Sequence, residues 1–211
     1  MSRSYTSPIR VEKARQTRRR VIASAHELFL GRGYPATTIT AVAALAGVSA
    51  DTVYTTFGSK SGLLKEVLDV VIAGDDDDVP LLDRPGPRAT RAETDPRRQL
   101  AQFAAGVTEQ LERVRPLDDI LRSAAAVDAD AAALRADIQL RQRRQAMREV
   151  AGWVAARGAL RDGLSVEEAA AILWTLTSPE THGMLRVTWG WEARRYEDWL
   201  REVLVASLLR A

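Results

Sequence analysis

Histidine and cysteine are the residues best able to supply nucleophilic, acid–base or metal-binding chemistry in this chain. The 211 residues contain no cysteine, which excludes a disulfide framework, a thiolate nucleophile and a cysteine-ligated metal. The two histidines, His26 and His182, lie in no triad-like or metal-binding arrangement. His26 borders the apolar face of a predicted helix and is interpreted as a packed side chain. We therefore expect no catalytic residue.

Three other segments imitate ligand-binding motifs. Residues 31–36 space their glycines like a dinucleotide fingerprint, but they follow a predicted helix instead of a strand and include a proline. Residues 58–61 resemble the end of a phosphate-binding loop but lack its upstream glycine and strand. The four aspartates at 75–78 are adjacent carboxylates without a glycine-turned loop, which are usually solvated. We expect no enzyme, no cofactor and no metal.

Basic residues are concentrated in the first third of the chain. Residues 1–65 carry ten Lys/Arg against three Asp/Glu, a net charge of +7, whereas residues 66–211 carry twenty against twenty-five, a net charge of −5. A basic head on an acidic body indicates that the head binds a polyanion. Chance clustering on a solvated surface gives the same numbers, so charge alone does not decide.

The composition is that of a soluble globular protein, with 46% hydrophobic and 27% charged residues. No apolar run approaches the roughly 18 residues needed to cross a bilayer. The first 20 residues lack the apolar core of a secretory signal. We expect a cytoplasmic protein without a membrane partner.

Helical periodicity runs through the chain, and no strand signal accompanies it, so the predicted fold is all-α. Predicted helices cover residues 17–30, 39–46, 50–57, 60–73, 97–114, 116–127, 128–157, 165–177, 179–189 and 192–209. Between residues 74 and 96 the aspartate run and four prolines leave little helix or strand, which predicts a flexible loop. We predict an N-terminal arm and helix-turn-helix domain over residues 1–65 and a helical body over residues 66–211.

The segment from Ile39 to Gly58 has the features that a helix-turn-helix needs. Ala43 is small enough for two helices to cross closely, and Gly47 tolerates the positive φ of a tight turn. Apolar side chains recur at the spacing that buries one side of both helices: Val42, Ala46, Val48, Val53 and Phe57. A purely structural helical hairpin would show the same core, so this pattern leaves DNA binding open.

A set of residues in this region resembles the N-terminal domain of the tetracycline-repressor (TetR) family. The matching positions are Gly33-Tyr34, Thr37-Thr38, Val42-Ala43, Ala46-Gly47-Val48-Ser49, Tyr54, Phe57, Ser59-Lys60 and Leu63-Leu64. The close resemblance covers about residues 14–68, and a looser one covers residues 177–180, 190–191 and 196–200. It implies a homodimeric, usually repressing bacterial transcription factor that binds double-stranded DNA at the nucleoid. A small-molecule effector bound in the helical body would release the DNA.

The resemblance also implies roles for individual residues. The helix over residues 50–57 would enter the major groove, where every base pair shows a distinct pattern of donors and acceptors. The side chains expected to face bases are Ser49, Asp51, Thr52 and Thr55. Those expected at phosphates are Thr38 and Thr40 at a helix N-terminus, Tyr54 and Lys60 by their match to the family, and Arg15, Arg18, Arg19 and Arg20 in the basic segment.

Two departures from the family pattern bear on specificity. Asp51 replaces a glycine, proline or basic residue; its carboxylate either accepts from a cytosine amino group or favours the helix N-terminus electrostatically. Thr55-Thr56 replaces an aromatic residue or histidine, so no relative's operator sequence is transferable.

Effector-binding candidates lie on the predicted inner helices of the body. They are Met147, Trp153, Leu173, Trp174, Thr177 and His182. Most apolar residues at helical spacing are simply core. A basic stripe of Arg141, Arg143, Arg144 and Arg148 is interpreted as a solvated face, with an anionic effector as the alternative.

The helices over residues 165–177 and 192–209 are apolar over broad faces and are predicted to form a two-fold dimer interface. The second carries Trp199, Leu200, Val203, Leu204 and Leu208. Two-fold pairing predicts a near-palindromic operator. The competing interpretations are a helical adaptor, or an enzyme, that uses the basic segment to bind something other than DNA.

Overall fold

A computed structural model of the protein describes the backbone of residues 8–210, and the side chains from residue 10 onward. The first seven residues of the predicted N-terminal arm lie outside this range. Helices fill the described chain, and its one β-type contact is an isolated bridge between Leu160 and Leu209. The all-α prediction is confirmed. None of the described helices is long and apolar enough to cross a membrane.

Eleven α-helices are present in the described range. They are α1 (Pro8–Ala36), α2 (Ile39–Ala46), α3 (Ala50–Phe57), α4 (Lys60–Ala73), α5 (Pro85–Ala92), α6 (Pro96–Ala125), α7 (Ala129–Ala136), α8 (Arg144–Ala155), α9 (Val166–Leu176), α10 (Pro179–Gly183) and α11 (Ala193–Leu208). A 3₁₀ turn covers Leu81–Asp83, and π-helical segments cover Asp137–Arg143 and Met184–Thr188.

The chain divides into two compact units. The first contains the residues up to Val71 together with Asp119–Leu134, and the second contains Ile72–Asp118 together with the residues from Arg135. The division predicted from the sequence places one boundary at residue 65.

Apolar faces of α1, α2, α3 and α4 form the core of the first unit. Fully or almost fully buried residues there are Val21, Ala25, Phe29, Val42, Val53, Leu63, Leu64 and Val67. Burying each leucine contributes about 1.5–3 kcal/mol. Helix α1 turns out of its regular path at Gly33, whose φ of 72° favours glycine.

The second unit is built around one apolar cluster drawn from α6, α8, α9 and α11. It includes Leu100, Ala104, Val150, Val154, Leu173, Leu200, Leu204 and Leu208. A capping box starts α9: the Ser165 hydroxyl accepts from the Glu168 amide at 3.2 Å, and Glu168 Oε2 accepts from the Ser165 amide at 2.9 Å.

Two local predictions were wrong. Residues 74–96 contain the 3₁₀ turn and α5, because Pro85 suits the first turn of a helix. Buried Arg84 also fixes the segment by pairing with Asp75 and donating to the Asp77 carbonyl at 2.9 Å. Pro116 begins no new helix and lies within α6, where the neighbouring Val114 and Leu117 are buried. Packing there offsets the hydrogen bond that proline cannot donate.

Candidate nucleic-acid interface

Helix α2 begins and ends where the sequence predicted. The Thr38 hydroxyl accepts from the Ala41 amide at 3.1 Å, which caps the N-terminus. Gly47 ends the helix with a φ of 66° and donates its amide to the Ala43 and Ala44 carbonyls. Thr40 is exposed in the first turn. The cap satisfies one of the first four amides of α2, and such N-termini favour phosphate.

Helix α3 has one buried side and one exposed side. Val53 is 0% exposed, whereas Tyr54 is 54% exposed, and Asp51, Thr52 and Thr55 also face solvent. The Ser49 hydroxyl caps the helix by accepting from the Thr52 amide at 3.1 Å. The predicted base-facing residues therefore lie together on the outer surface of one short, capped helix.

Hydroxyl groups on this surface differ in what they bond. The Ser49 and Thr52 hydroxyls are 2.8 Å apart and bond each other, and the Thr56 hydroxyl donates to the Thr52 carbonyl at 2.8 Å. No such bond to protein holds the Thr55 hydroxyl among the described residues. Thr55 and Asp51 thus present the polar groups of α3 that are least engaged within the unit.

Lys60, predicted to lie at phosphate, is held within the first unit. Its ammonium donates to the Tyr34 carbonyl at 3.0 Å and lies 4.0 Å from the centre of the Tyr34 ring. A cation over an aromatic face is stabilised electrostatically. Sequence reasoning missed this role of Tyr34, which joins the end of α1 to the start of α4.

The predicted basic contacts lie along α1 with different degrees of engagement. Arg18 is half-buried and pairs with Glu66 of α4, while Arg19 and Arg20 are exposed. Arg15 is exposed and pairs with Glu12 one turn earlier, at 3.2 Å. The pair with Glu66 ties Arg18 to the fold of the first unit.

Residues 21–67 match the family model described as bacterial regulatory proteins, tetR family. The N-terminal part of this chain is therefore similar to the N-terminal domain of that family, and this similarity supports a DNA-binding transcriptional regulator. No curated protein matches it by sequence.

Several solved structures share its fold. A TetR-family regulator from Rhodococcus sp. superposes with a TM-score of 0.69 at 17% identity, covering 92% of this chain and 98% of that one. NalD of Pseudomonas aeruginosa, the secondary repressor of the MexAB-OprM multidrug efflux pump, gives a TM-score of 0.65 at 24% identity, covering 94% and 98%. KstR2 of Mycobacterium tuberculosis, a ketosteroid transcriptional regulator, gives 0.56 at 17%, covering 92% and 95%.

The predicted effector-binding residues all lie in or beside the core of the second unit. Met147, Trp153 and Leu173 belong to its apolar cluster, and half-buried Trp174 packs against it. The Thr177 hydroxyl lies 3.6 Å from Met147 Sδ, which brings α8 and the end of α9 together. His182 is fully buried beside Tyr196, with ring centres 4.8 Å apart.

Sequence reasoning missed Arg143 and Tyr196 as members of this region. The other arginines of the predicted stripe follow the expected pattern: Arg141 and Arg144 are exposed, and Arg148 pairs with Glu167 at 2.8 Å. Arg143 instead donates to the Trp174 carbonyl on α9. It lies at the end of a π-helical segment, where a wider turn shifts side chains off the α-helical register on which the stripe was drawn.

The surface predicted for dimerisation is narrower than expected. Leu200, Leu204 and Leu208 are fully buried in the core of their own unit, whereas Trp199 and Val203 are partly exposed. Any interface formed by α11 must use the partly exposed residues, because the buried leucines are already packed.

Proposed function

We propose that this protein is a homodimeric repressor of the TetR family that binds a near-palindromic operator and is released from it by a small-molecule effector. The observation that carries the proposal is the outer face of α3, which presents Asp51, Thr52, Tyr54 and Thr55 opposite the buried Val53. A helix of this size fits the major groove, where side chains reach base edges.

Roles on this surface follow from what each side chain already bonds. Thr55 and Asp51 are assigned to base edges, because their polar groups face solvent from α3. Thr52 and Ser49 contribute while also capping the helix. Tyr54, Thr38, Thr40 and Arg19 are assigned to phosphates. Arg18 is assigned to phosphate only if it leaves Glu66. Lys60 acts mainly by holding Tyr34 and reaches phosphate only if it leaves that carbonyl.

Two observations support repression and effector release. They are the similarity in fold to solved structures of regulators and the helical arrangement of the second unit. NalD, which shares the fold, is a repressor, and KstR2 is a ketosteroid regulator. The helical second unit places Met147, Leu173, Trp174 and Thr177 around one region. Such interior sites between helices are typical places for small ligands.

Dimerisation would occur through α9 and α11 of each subunit around a two-fold axis. Trp199 and Val203 of α11, with exposed Val166 of α9, offer apolar surface for this contact. A two-fold dimer sets two α3 helices about 34–36 Å apart, or a multiple of that distance, along the DNA.

The experiment that tests the proposal compares two point variants on a selected operator and on random DNA. Thr55→Val removes a hydroxyl assigned to a base and should weaken operator binding by about 1–3 kcal/mol with random DNA unchanged. Tyr54→Phe removes a hydroxyl assigned to phosphate and should weaken both DNAs alike, by about 0.5–1.5 kcal/mol. Fluorescence anisotropy at fixed salt measures both.

Thr56→Val is the matched control, because the Thr56 hydroxyl bonds its own helix and the substitution is the same as at Thr55. It should leave operator preference unchanged. Equal loss in Thr55→Val and Thr56→Val, or wild-type binding by both Thr55→Val and Tyr54→Phe, would contradict the assignment of this face.

A further inference from the structure

The core of the second unit contains polar atoms that have no partner. Tyr196 and His182 are both 0% exposed, and neither the Tyr196 hydroxyl nor His182 Nδ1 has a hydrogen-bond partner among the described residues. Leaving such a group buried and unpaired destabilises the folded protein. Two of them side by side, with ring centres 4.8 Å apart, point to a binding site more than to a packing defect.

His182 supplies an acceptor to this site. Burial lowers the pKa of His182, so its ring is neutral near pH 7. Its Nε2 lies 3.0 Å from Glu112 Oε1, and the pKa of that carboxyl is itself lowered by Arg186. Nε2 therefore carries the proton and donates to Glu112, which leaves Nδ1 as an acceptor.

Arg143 supplies positive charge to the same region. Its guanidinium packs against the Trp174 ring and donates to three neutral acceptors, the Trp174 carbonyl, the Thr177 hydroxyl and Gln139 Oε1. A guanidinium has five N–H groups, so donors remain. Burial lowers the pKa of Arg143 to about 10, which still leaves it charged at neutral pH.

No described carboxylate forms an ion pair with Arg143. The two that influence it most, Glu180 and Asp118, have other partners: Glu180 pairs with Arg135, and Asp118 accepts from Gln139 at 3.3 Å. Arg143 bonds the Thr177 hydroxyl, and the His182 amide donates to the carbonyl of the next residue, Ser178, at 3.0 Å. Because the His182 ring packs on Tyr196, the guanidinium and the Tyr196 side chain border one region. A largely buried cation without an anion is costly unless a ligand provides one.

We propose that the effector is a small apolar carboxylate, whose carboxylate group accepts hydrogen bonds from Arg143 and from the Tyr196 hydroxyl. The single unpaired positive charge favours a monoanion over a phosphate dianion, because Glu112, Glu180 and Asp118 lie nearby. Met147 and Leu173 of the apolar cluster, and Trp174 packed against it, are the apolar neighbours of this region. Both π-helical segments border this region, and such segments frequently occur at functional sites.

The test uses matched acids and amides with the full-length protein in isothermal titration calorimetry. The probes are benzoate, 2-naphthoate, octanoate and decanoate, each beside its neutral amide, so that members of a pair share the apolar part and differ in the negative charge and in the amide N–H donors. At least one acid should bind about tenfold or more tightly than its amide, because only the acid makes a charge-assisted hydrogen bond to Arg143.

Tyr196→Phe is the most informative variant, because it removes only the unpaired hydroxyl. It should weaken binding of the preferred acid several-fold while the melting temperature stays the same or rises. Arg143→Gln should abolish the preference for acid over amide, and Arg144→Gln, at an exposed neighbouring position, should keep it. Should Arg143→Gln fail to fold, the Tyr196→Phe result decides alone.

The inference is overturned if no acid binds more tightly than its amide, or if Tyr196→Phe leaves the Kd of the preferred acid unchanged and lowers the melting temperature. It rests on the proposed function in treating the second unit as the effector-binding unit. Because the calorimetry contains no DNA, failure to bind an operator contradicts the proposed function alone. Release of the operator only by neutral compounds contradicts this inference alone.

Discussion

Individual Ser and Thr hydroxyl groups determine where helices start, and which side chains are available to DNA, in the proposed DNA-binding unit. Thr38 and Ser49 bond backbone amides at the starts of α2 and α3, so these positions have a structural reason to be Ser or Thr apart from any DNA. The Thr55 hydroxyl forms no such hydrogen bond within the part of the chain that the structure describes. Residue type alone did not separate these roles in the sequence, because capping and base-facing residues are both short and polar.

Acidification tests the buried, neutral state of His182. Its folded pKa lies below the usual 6.5, so the unfolded chain takes up the proton first. Stability is then fully present above about pH 6.5 and falls, by at most about 1.4 kcal/mol per pH unit for this group, as the pH drops toward the folded pKa. Urea denaturation between pH 7.5 and 5.5 measures the fall.

His182→Gln removes this titration while keeping a donor for Glu112, so its stability should depend less on pH than that of the wild type. His26 needs its own control, His26→Gln, because burial also lowers the pKa of His26. Identical pH dependence in His182→Gln and the wild type would show that His182 titrates alike in the folded and unfolded states.

At the scale of elements, the sequence predicted best where local chemistry decides. The bounds of α2 and α3 were predicted correctly because Thr38, Gly47 and Ser49 start or stop helices by their own bonds and dihedral angles. The π-helical segment Asp137–Arg143 was not predictable from a period of 3.6, and α5 depends on the buried contacts of Arg84. Those contacts come from the folded chain and leave no local pattern.

The turn between α2 and α3 should be sensitive to a single methyl group. Gly47→Ala places a side chain at a φ of 66° and should destabilise the protein by about 1–2 kcal/mol. Gly31→Ala, within α1 and with no atom near the added methyl, should instead stabilise it by about 0.4–1 kcal/mol. Chemical denaturation of both variants gives the comparison; equal effects of the same sign would contradict the assigned role of Gly47.

Across the whole molecule, the uneven distribution of charge agrees with the proposed binding of DNA by the N-terminal part of the chain and of an effector by the rest. The first 65 residues carry a net charge of +7 and include α2 and α3, whereas the remainder carries −5. The return of residues 119–134 to the first unit was not predictable, because it depends on tertiary packing between distant parts of the chain. The burial of the α11 leucines was not predictable for the same reason. Their spacing suggested an interface, but they pack inside their own unit.

We propose that two copies of α3 read two major grooves of the operator. The footprint of the full-length protein on DNA selected from a random pool tests this most directly. We expect two inverted half-sites centred about 10–10.5 base pairs apart, or a multiple of that spacing. Methylation of guanine N7 in each half-site should block binding. A single asymmetric half-site, or selected DNA bound no better than random DNA, would contradict it.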